Sequence, residues 1–329
     1  RSLLGLLAPL LPTFENLQHL VLMDDGTGDI PADLAGHELL DYEELLAAAD
    51  PVDFGVDDER RAASMCYTSG TTGNPKGVVY THRSTFLHTM GAMTVDSLGA
   101  RESDVILPVV PMFHANAWGL AHAAVATGAD LVMPGPNLSG PAIADLIVNE
   151  KVTVAAGVPT IWMAVLPELK GRDTSSLRSI PCGGSAMPKA LSEAYREQTG
   201  LPIFQAWGMT ETSPIAAVCR LDADQEQLPQ DEQAELRTQV GRIVFGAECR
   251  VVEPGTTDPV PWDGESSGEL QCRGNWIASD YYDDPRSRES FTDDGWLKTG
   301  DVAVVSGRGM VRLVDRTKDL IKSGGEWIR

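Results

Sequence analysis

Short β-branched or apolar runs alternate with helical patterns from Leu17 to about Gln205, and this alternation constrains the fold more than any other feature of the chain. Residues 17–23, 64–68, 105–109, 131–133, 152–155 and 203–205 read as strands. Their nearly continuous apolar character is that of strands covered on both faces. Residues 159–168 and 188–199 open with proline at the first helical turn, and Ser139-Gly140-Pro141 opens a helical segment ending near Glu150. The expected class is therefore α/β, a mostly parallel sheet flanked by helices. After an acidic, glutamine-rich stretch at 222–235 the pattern changes. Residues 240–252, 268–272 and 302–314 are strand-like and are separated by turn signals such as Pro254-Gly255 and Gly307-Arg308-Gly309, which predicts a smaller antiparallel, barrel-like subdomain. The expected boundaries are 1–235 for the α/β part, 236–314 for the β-rich part and 315–329 for a terminal motif.

A chain of 329 residues with 43% hydrophobic content has ample material for a core and is not a disordered polymer. Its 26 Lys and Arg against 47 Asp and Glu leave a net charge of −21. That field repels phosphodiesters and acidic lipids, so nucleic acid and membrane-surface partners are not expected. No run approaches the ~18–20 apolar residues that span a bilayer. The leucine-rich start at 1–12 lacks a small-x-small cleavage site and is broken by Pro9 and Pro12, so it reads as a helix end feeding a strand. The five cysteines are odd in number and contain no C-x-x-C pair, which argues against a zinc knuckle or a secreted disulfide framework and for a cytoplasmic chain with buried thiols.

Tyr67-Thr68-Ser69-Gly70-Thr71-Thr72-Gly73-Asn74-Pro75-Lys76-Gly77-Val78 is the most informative stretch. Three glycines remove Cβ atoms so that backbone N–H groups can converge on an anion, the hydroxyls add donors, and Lys76 adds charge. Only seven of the 26 cations are lysine, so one at this place stands against the charge balance. The loop lacks Gly-Lys-Ser/Thr and G-x-G-x-x-G, which excludes a Walker loop and a dinucleotide fingerprint. On composition alone it reads equally as a surface turn. As a string it resembles the signature loop of the adenylate-forming enzymes: acyl-CoA synthetases, firefly-type luciferases and the adenylation domains of peptide synthetases.

Further segments resemble motifs of that family in the same order. Pro111-Met112-Phe113-His114-Ala115-Asn116-Ala117-Trp118 looks like the segment lining the acyl pocket of bacterial medium- and long-chain fatty acid–CoA ligases, with His114 in the pocket and Trp118 as its gate. By resemblance Gly184 and Ser185 abut adenine, and Gln205, Ala206, Trp207 and Gly208 belong to the nucleotide site, with Trp207 where the family usually has a stacked tyrosine. Thr210 and Glu211 follow; Glu211 alone reads as a helix first-turn acid, whereas the family uses this glutamate with the loop threonine, here Thr68, to hold Mg²⁺. Asp301 resembles the ribose-binding aspartate. Asp315-Arg316-Thr317-Lys318-Asp319-Leu320-Ile321-Lys322 resembles the hinge motif, with Asp315 as pivot, Arg316 near ribose, and Lys318 and Lys322 near phosphate or the acyl pocket.

The resemblance implies an AMP-forming ligase. A carboxylate attacks the α-phosphorus of ATP and expels pyrophosphate, and the coenzyme A thiol then takes the acyl group and releases AMP. Ser69, Gly70, Thr71, Thr72, Gly73, Lys76, Thr210 and Mg²⁺ would neutralise charge on the triphosphate. A fatty acid is the expected substrate; a short or sulfur-containing acid such as 3-methylmercaptopropionate, or a luciferase-type oxygenation, is the alternative. A non-catalytic relative would have lost Lys76, Glu211 or Asp301, and all three are present. Related ligases are often homodimers. Typical members begin earlier and continue into a C-terminal domain that supplies a catalytic lysine, so this polypeptide is expected to bind ATP weakly and turn over little.

Overall fold

The computed structural model describes residues 1–68, 74–316, 321–323 and 326–328, those from 316 onward by backbone alone. Two compact units are present, Arg1–Asp57 and Asp58–Arg329. The sequence reading drew no boundary there. In the first unit a helix at Leu4–Leu7 runs into a 3-10 turn at Ala8–Thr13, where the prolines interrupt the α-helical ladder. A parallel pair, Leu20–Leu22 with Leu39–Asp41, follows, and Leu4, Leu11, Leu20 and Leu22 form the unit's small core. Asp41 caps the helix Tyr42–Ala48 by accepting from the Glu44 N–H at 3.0 Å.

The second unit carries the expected α/β pattern. Asp130–Leu131, Val105–Pro108 and Val154–Ala156 form a parallel three-stranded sheet. Parallel bridges Val154–Ser179 and Gly157–Cys182 continue it towards Pro181–Cys182, which pairs in parallel with Phe204–Gly208. Ile215–Val218 and Arg242–Ile243 then add antiparallel strands. Helices Gly140–Asn149, Pro159–Val165 and Lys189–Thr199 bury one face against this layer, through Ile143, Ile147, Trp162, Val165, Leu191 and Tyr195. Each begins at the expected Pro or Gly-Pro signal, although Pro188 is the residue before the helix and not its first turn.

Three local departures have physical causes. The strand expected at 64–68 is Ala62–Tyr67, and it pairs antiparallel with Gly77–Thr81. The glycine-rich stretch is thus the connection of a β-hairpin, and the helix His82–Met93 starts only after it, in a capping box of Thr81 and Ser84. The acidic 222–235 stretch is not irregular: it folds as a 3-10 turn Gln225–Gln227 and a helix Gln230–Arg237, docked by the Lys189–Asp231 ion pair at 2.7 Å. The β-rich part is antiparallel as expected, in the order Ala247–Val252, Ser267–Gly274, Leu297–Val305, Val311–Arg316. It remains an open four-stranded sheet, and among the described residues no barrel closes. The five thiols are free, four of them buried.

Candidate functional site

Phe204–Gly208 is the strand on which the site is built. Leu107, Ala155 and Cys182 fill the layer beside it, and at its C-terminal end the chain must reverse to form Ile215–Val218. Gly208 makes the reversal possible. A Cβ there would stand 1.8 Å from the Pro214 carbonyl oxygen, so no other residue fits. The short Thr210–Thr212 turn is held by Met209 N–H donating to the Thr212 hydroxyl at 2.8 Å and by the Tyr80 hydroxyl donating to the Thr210 carbonyl at 2.7 Å.

A cleft of about 410 Å³ opens beside this strand end. Gly184 and Ser185 line one side, Gln205, Ala206, Trp207 and Gly208 the floor, and Asp301 and Asp315 the wall contributed by the antiparallel sheet. Ligand sites beyond the carboxyl ends of parallel strands are the rule for open α/β sheets. Gly184 has φ +80°, a conformation that L side chains rarely adopt, and a Cβ there would stand 3.2 Å from Val158 Cγ1, so glycine suits this place in the cleft lining. Gln205 is a buried clamp: its Oε1 accepts the Met187 N–H at 3.0 Å and its Nε2 donates to the Ser185 carbonyl at 3.4 Å. The Trp207 indole N–H donates to Asp301 Oδ2 at 3.1 Å, joining the two sheets across the cleft, and the Asp301 N–H donates to the Thr299 hydroxyl at 3.1 Å.

Glu211 lies one turn beyond the cleft floor, only 6% exposed. Its Oε1 accepts the Tyr281 hydroxyl at 2.5 Å, and its carbonyl accepts the Ala278 N–H at 2.8 Å. Lys76 Nζ sits 4.4 Å from the centroid of the same Tyr281 ring and donates to the Ser290 hydroxyl at 3.2 Å. Tyr281 thereby joins Lys76, at the end of the glycine-rich stretch, to the buried carboxylate. Burial first, and the Glu211 charge second, push the Tyr281 hydroxyl well above the ordinary phenol value, so it stays a donor. Sequence reading missed this residue. The only signal for it was an aromatic pair, Tyr281-Tyr282, followed by acids, which is ordinary loop composition.

Thr68 closes the hairpin: its N–H donates to the Lys76 carbonyl at 2.9 Å and its hydroxyl accepts the Lys76 N–H at 3.4 Å. Ser69, Gly70, Thr71, Thr72 and Gly73 lie outside the described residues, as does Lys318. Arg316 and Lys322 are described by backbone only, Arg316 in register with Asp301 and Lys322 with Trp327. His114 and Trp118 do not line the cleft. His114 is exposed, while Trp118 is buried in the core with its ring against Gly183. Between them Ala115, Asn116, Ala117 and Trp118 all have φ between 46° and 58°, a left-handed turn. Asn116 anchors it, donating from Nδ2 to the Ser64 hydroxyl at 3.0 Å. The sequence reading identified the segment but not this conformation.

The Glu211 carboxylate is a hard oxygen donor of the kind Mg²⁺ takes. Among the described residues no group of three or more His, Cys, Asp or Glu that could hold a metal ion converges.

The cleft lies at the strand ends of an α/β layer and is walled by an antiparallel sheet that reaches it through Asp301. The family model described as "AMP-binding enzyme" matches residues 15–282, and the chain belongs to that family. It is 41% identical over 330 residues to 3-methylmercaptopropionyl-CoA ligase of Ruegeria lacuscaerulensis, an alignment covering 99% of this chain and 60% of that protein. It is 42% identical over 331 residues to medium-chain-fatty-acid–CoA ligase of Ectopseudomonas oleovorans, again covering 99% and 60%. The crystal structure of the anthranilate CoA ligase AuaEII in complex with anthranoyl-AMP matches with a TM-score of 0.84 at 26% identity, over 100% of this chain and 60% of that one. The chain therefore spans about 60% of the length of these relatives. No described helix is long and apolar enough to cross a membrane.

Proposed function

We propose that the protein containing this chain is an AMP-forming acid–CoA ligase acting on a medium- or long-chain fatty acid. The observation that carries the reading is the convergence of Gly184, Ser185, Gln205–Gly208, Asp301 and Asp315 on one cleft, with Glu211 and Lys76 brought together beside it by Tyr281. The side-chain-free Gly184 backbone and the Trp207 ring suit an adenine plane, and the Asp301 carboxylate suits the ribose hydroxyls. Lys76, Thr68 and the 69–73 loop would hold the triphosphate. Mg²⁺, held by Glu211 and Thr68, would supply positive charge to the phosphates.

In that reading the acid's carboxylate attacks the α-phosphorus, the bond to pyrophosphate breaks, and an acyl adenylate forms. Coenzyme A then attacks the acyl carbon through sulfur and AMP leaves. No protein nucleophile is required; positioning and electrostatics do the chemistry. His114 and Trp118 are assigned to the acyl side, Trp118 acting through the Gly183 backbone it touches. Residues 1–235 and 236–314 are taken as parts of the large domain and 315–329 as its hinge, in a cytoplasmic enzyme that forms homodimers.

One relative's name supports a second acid. The similarity to 3-methylmercaptopropionyl-CoA ligase is equal in strength to that with the medium-chain ligase. Pyrophosphate release by the full-length protein, measured on straight-chain acids from acetate to octadecanoate and on 3-methylmercaptopropionate, decides between them. A maximum among medium and long chains is expected. A maximum at 3-methylmercaptopropionate overturns the fatty acid assignment, and inactivity with every acid overturns the ligase reading.

A further inference from the structure

The chain carries an excess of negative charge, yet one recess is walled by arginine. It lies at the Phe204 end of the Phe204–Gly208 strand, opposite the end that floors the nucleotide cleft, and has a volume of about 170 Å³. Arg178, Arg220 and Arg237 border it together with Phe204, Cys219 and Glu226.

The three guanidiniums differ in how they are compensated. Arg178 is neutralised by Asp104, to which it donates from Nε at 2.7 Å and from Nη2, while Nη2 also reaches the Gly99 carbonyl at 2.7 Å. Arg220 has only neutral partners, the Ser97 carbonyl at 3.1 Å and the Ser179 hydroxyl at 3.2 Å, and it stacks 3.9 Å from the Phe204 ring centroid. Among the described residues it makes no ion pair, and Asp96 acts on it only through space. Arg237 gives its Nη2 to the Gln233 side chain at 2.6 Å. Its Nη1 is buried and has no hydrogen-bond partner, and the side chain is only 12% exposed. The nearest carboxylate oxygen, Glu193 Oε1, stands 3.9 Å away, and Glu193 is already paired with Arg196 at 2.9 Å.

An enclosed N–H without a partner carries an uncompensated desolvation cost, larger on a charged group. Desolvation penalises both charges at this recess, Arg220 without an ion pair and Arg237 with only the long contact to Glu193; burial holds the Arg220 pKa down at about 10 and lowers that of Arg237. A tetrahedral or planar oxyanion would bring negative charge to Arg220, which has no ion pair, and to the Arg237 side chain beside it, in a space of about 170 Å³ that both line. Glu226, exposed at the rim, is the one carboxylate in the lining and opposes an anion there.

We propose that this recess, formed by Arg220 and Arg237 with Arg178 behind them, is a binding site for a small oxyanion of the phosphate class, separate from the nucleotide cleft. The site is independent of the ligase reading, because none of its residues belongs to that cleft.

Calorimetric titration of the full-length protein with inorganic phosphate at low ionic strength tests the assignment. One saturable site is expected. Arg237→Gln is expected to weaken it about tenfold, the scale of one charge-assisted contact, and Glu226→Gln to strengthen it about threefold by removing the rim charge. Lys76→Ala is expected to bind phosphate at this recess as the parent does. Absence of saturable binding overturns the proposal. So does loss of the site in Lys76→Ala with retention in Arg237→Gln, which would put phosphate on the glycine-rich loop. Should Arg237→Gln fail to fold, the exposed Glu226→Gln variant still decides, because unchanged affinity there also overturns the assignment.

Discussion

Replacing Tyr281 by phenylalanine removes one oxygen and leaves the ring, which makes it a clean probe of the link between Lys76 and Glu211. Tyr281 and Glu211 are both 6% exposed, so the hydroxyl–carboxylate contact at 2.5 Å is shielded from water. A hydrogen bond to a charged group contributes about 1.5–3 kcal/mol, and here the carboxylate that loses its donor stays buried. The ring's other contacts persist in Tyr281→Phe: Phe291 at 5.6 Å between centroids and the Lys76 ammonium at 4.4 Å. The expected cost is therefore about 2 kcal/mol, or roughly 4 °C in melting temperature for a unit of this size. Tyr281→Ala also removes the ring and the cation–π contact, so its total cost should reach about 3–5 kcal/mol. Urea unfolding followed by tryptophan fluorescence reads both variants. Tyr281→Phe within about 0.5 kcal/mol of the parent, or as costly as Tyr281→Ala, would refute the reasoning: the hydroxyl would then be idle, or the ring would not matter.

Gly208→Ala should cost well over about 3 kcal/mol or prevent folding, because the added carbon meets the Pro214 carbonyl at 1.8 Å; a soluble variant with a parent-like urea midpoint would contradict the turn described here. His88 is buried, its Nε2 accepts the Ile215 N–H at 3.1 Å, and burial, with His122 adding less, holds its pKa down at about 3 against 6.5. The folded state refuses a proton that the unfolded state accepts below pH 6.5, so the stability is present above that pH and declines as pH falls towards 3. Between pH 7 and 5 the loss should be about 2 kcal/mol by urea midpoint, and flatter in His88→Gln. Asp301→Ala should raise the AMP dissociation constant of the full-length protein about tenfold while its circular dichroism is unchanged; unaltered affinity removes Asp301 from the ribose role.

Most of the parallel layer was legible in the sequence, because a strand buried on both faces has to be apolar along its length and its helices have to begin at recognisable caps. Val105–Pro108, Val154–Ala156 and Lys189–Thr199 fall within a residue or two of the places their local pattern indicates. The Ala62–Tyr67 strand was legible as a strand but not as half of a hairpin. Its partner begins inside the glycine-rich string, where loop chemistry masks the extended pattern of Gly77–Thr81. The helix Gln230–Arg237 was hidden for a different reason. Six of its eight residues are polar, and it is held by charge pairs from another helix and not by an apolar stripe of its own.

The candidate site divides along the same line. Motif strings singled out Gly184, Gln205, Trp207, Glu211 and Asp301 because each needs a particular residue type at a particular local position, and local chemistry is written in local sequence. Which of them share a cleft is a tertiary fact. Trp207 and Asp301 are 94 residues apart, and only the packing of the antiparallel sheet against the strand end brings the indole to the carboxylate. The same holds for Tyr281, 70 residues from Glu211, and for Arg220 and Arg237, whose shared recess and desolvation appear only once the chain has folded. Sequence alone determined the α/β class and the family motifs; the tertiary structure decided which charges meet and which are left without a partner, because pairing and desolvation depend on distances that no local pattern encodes.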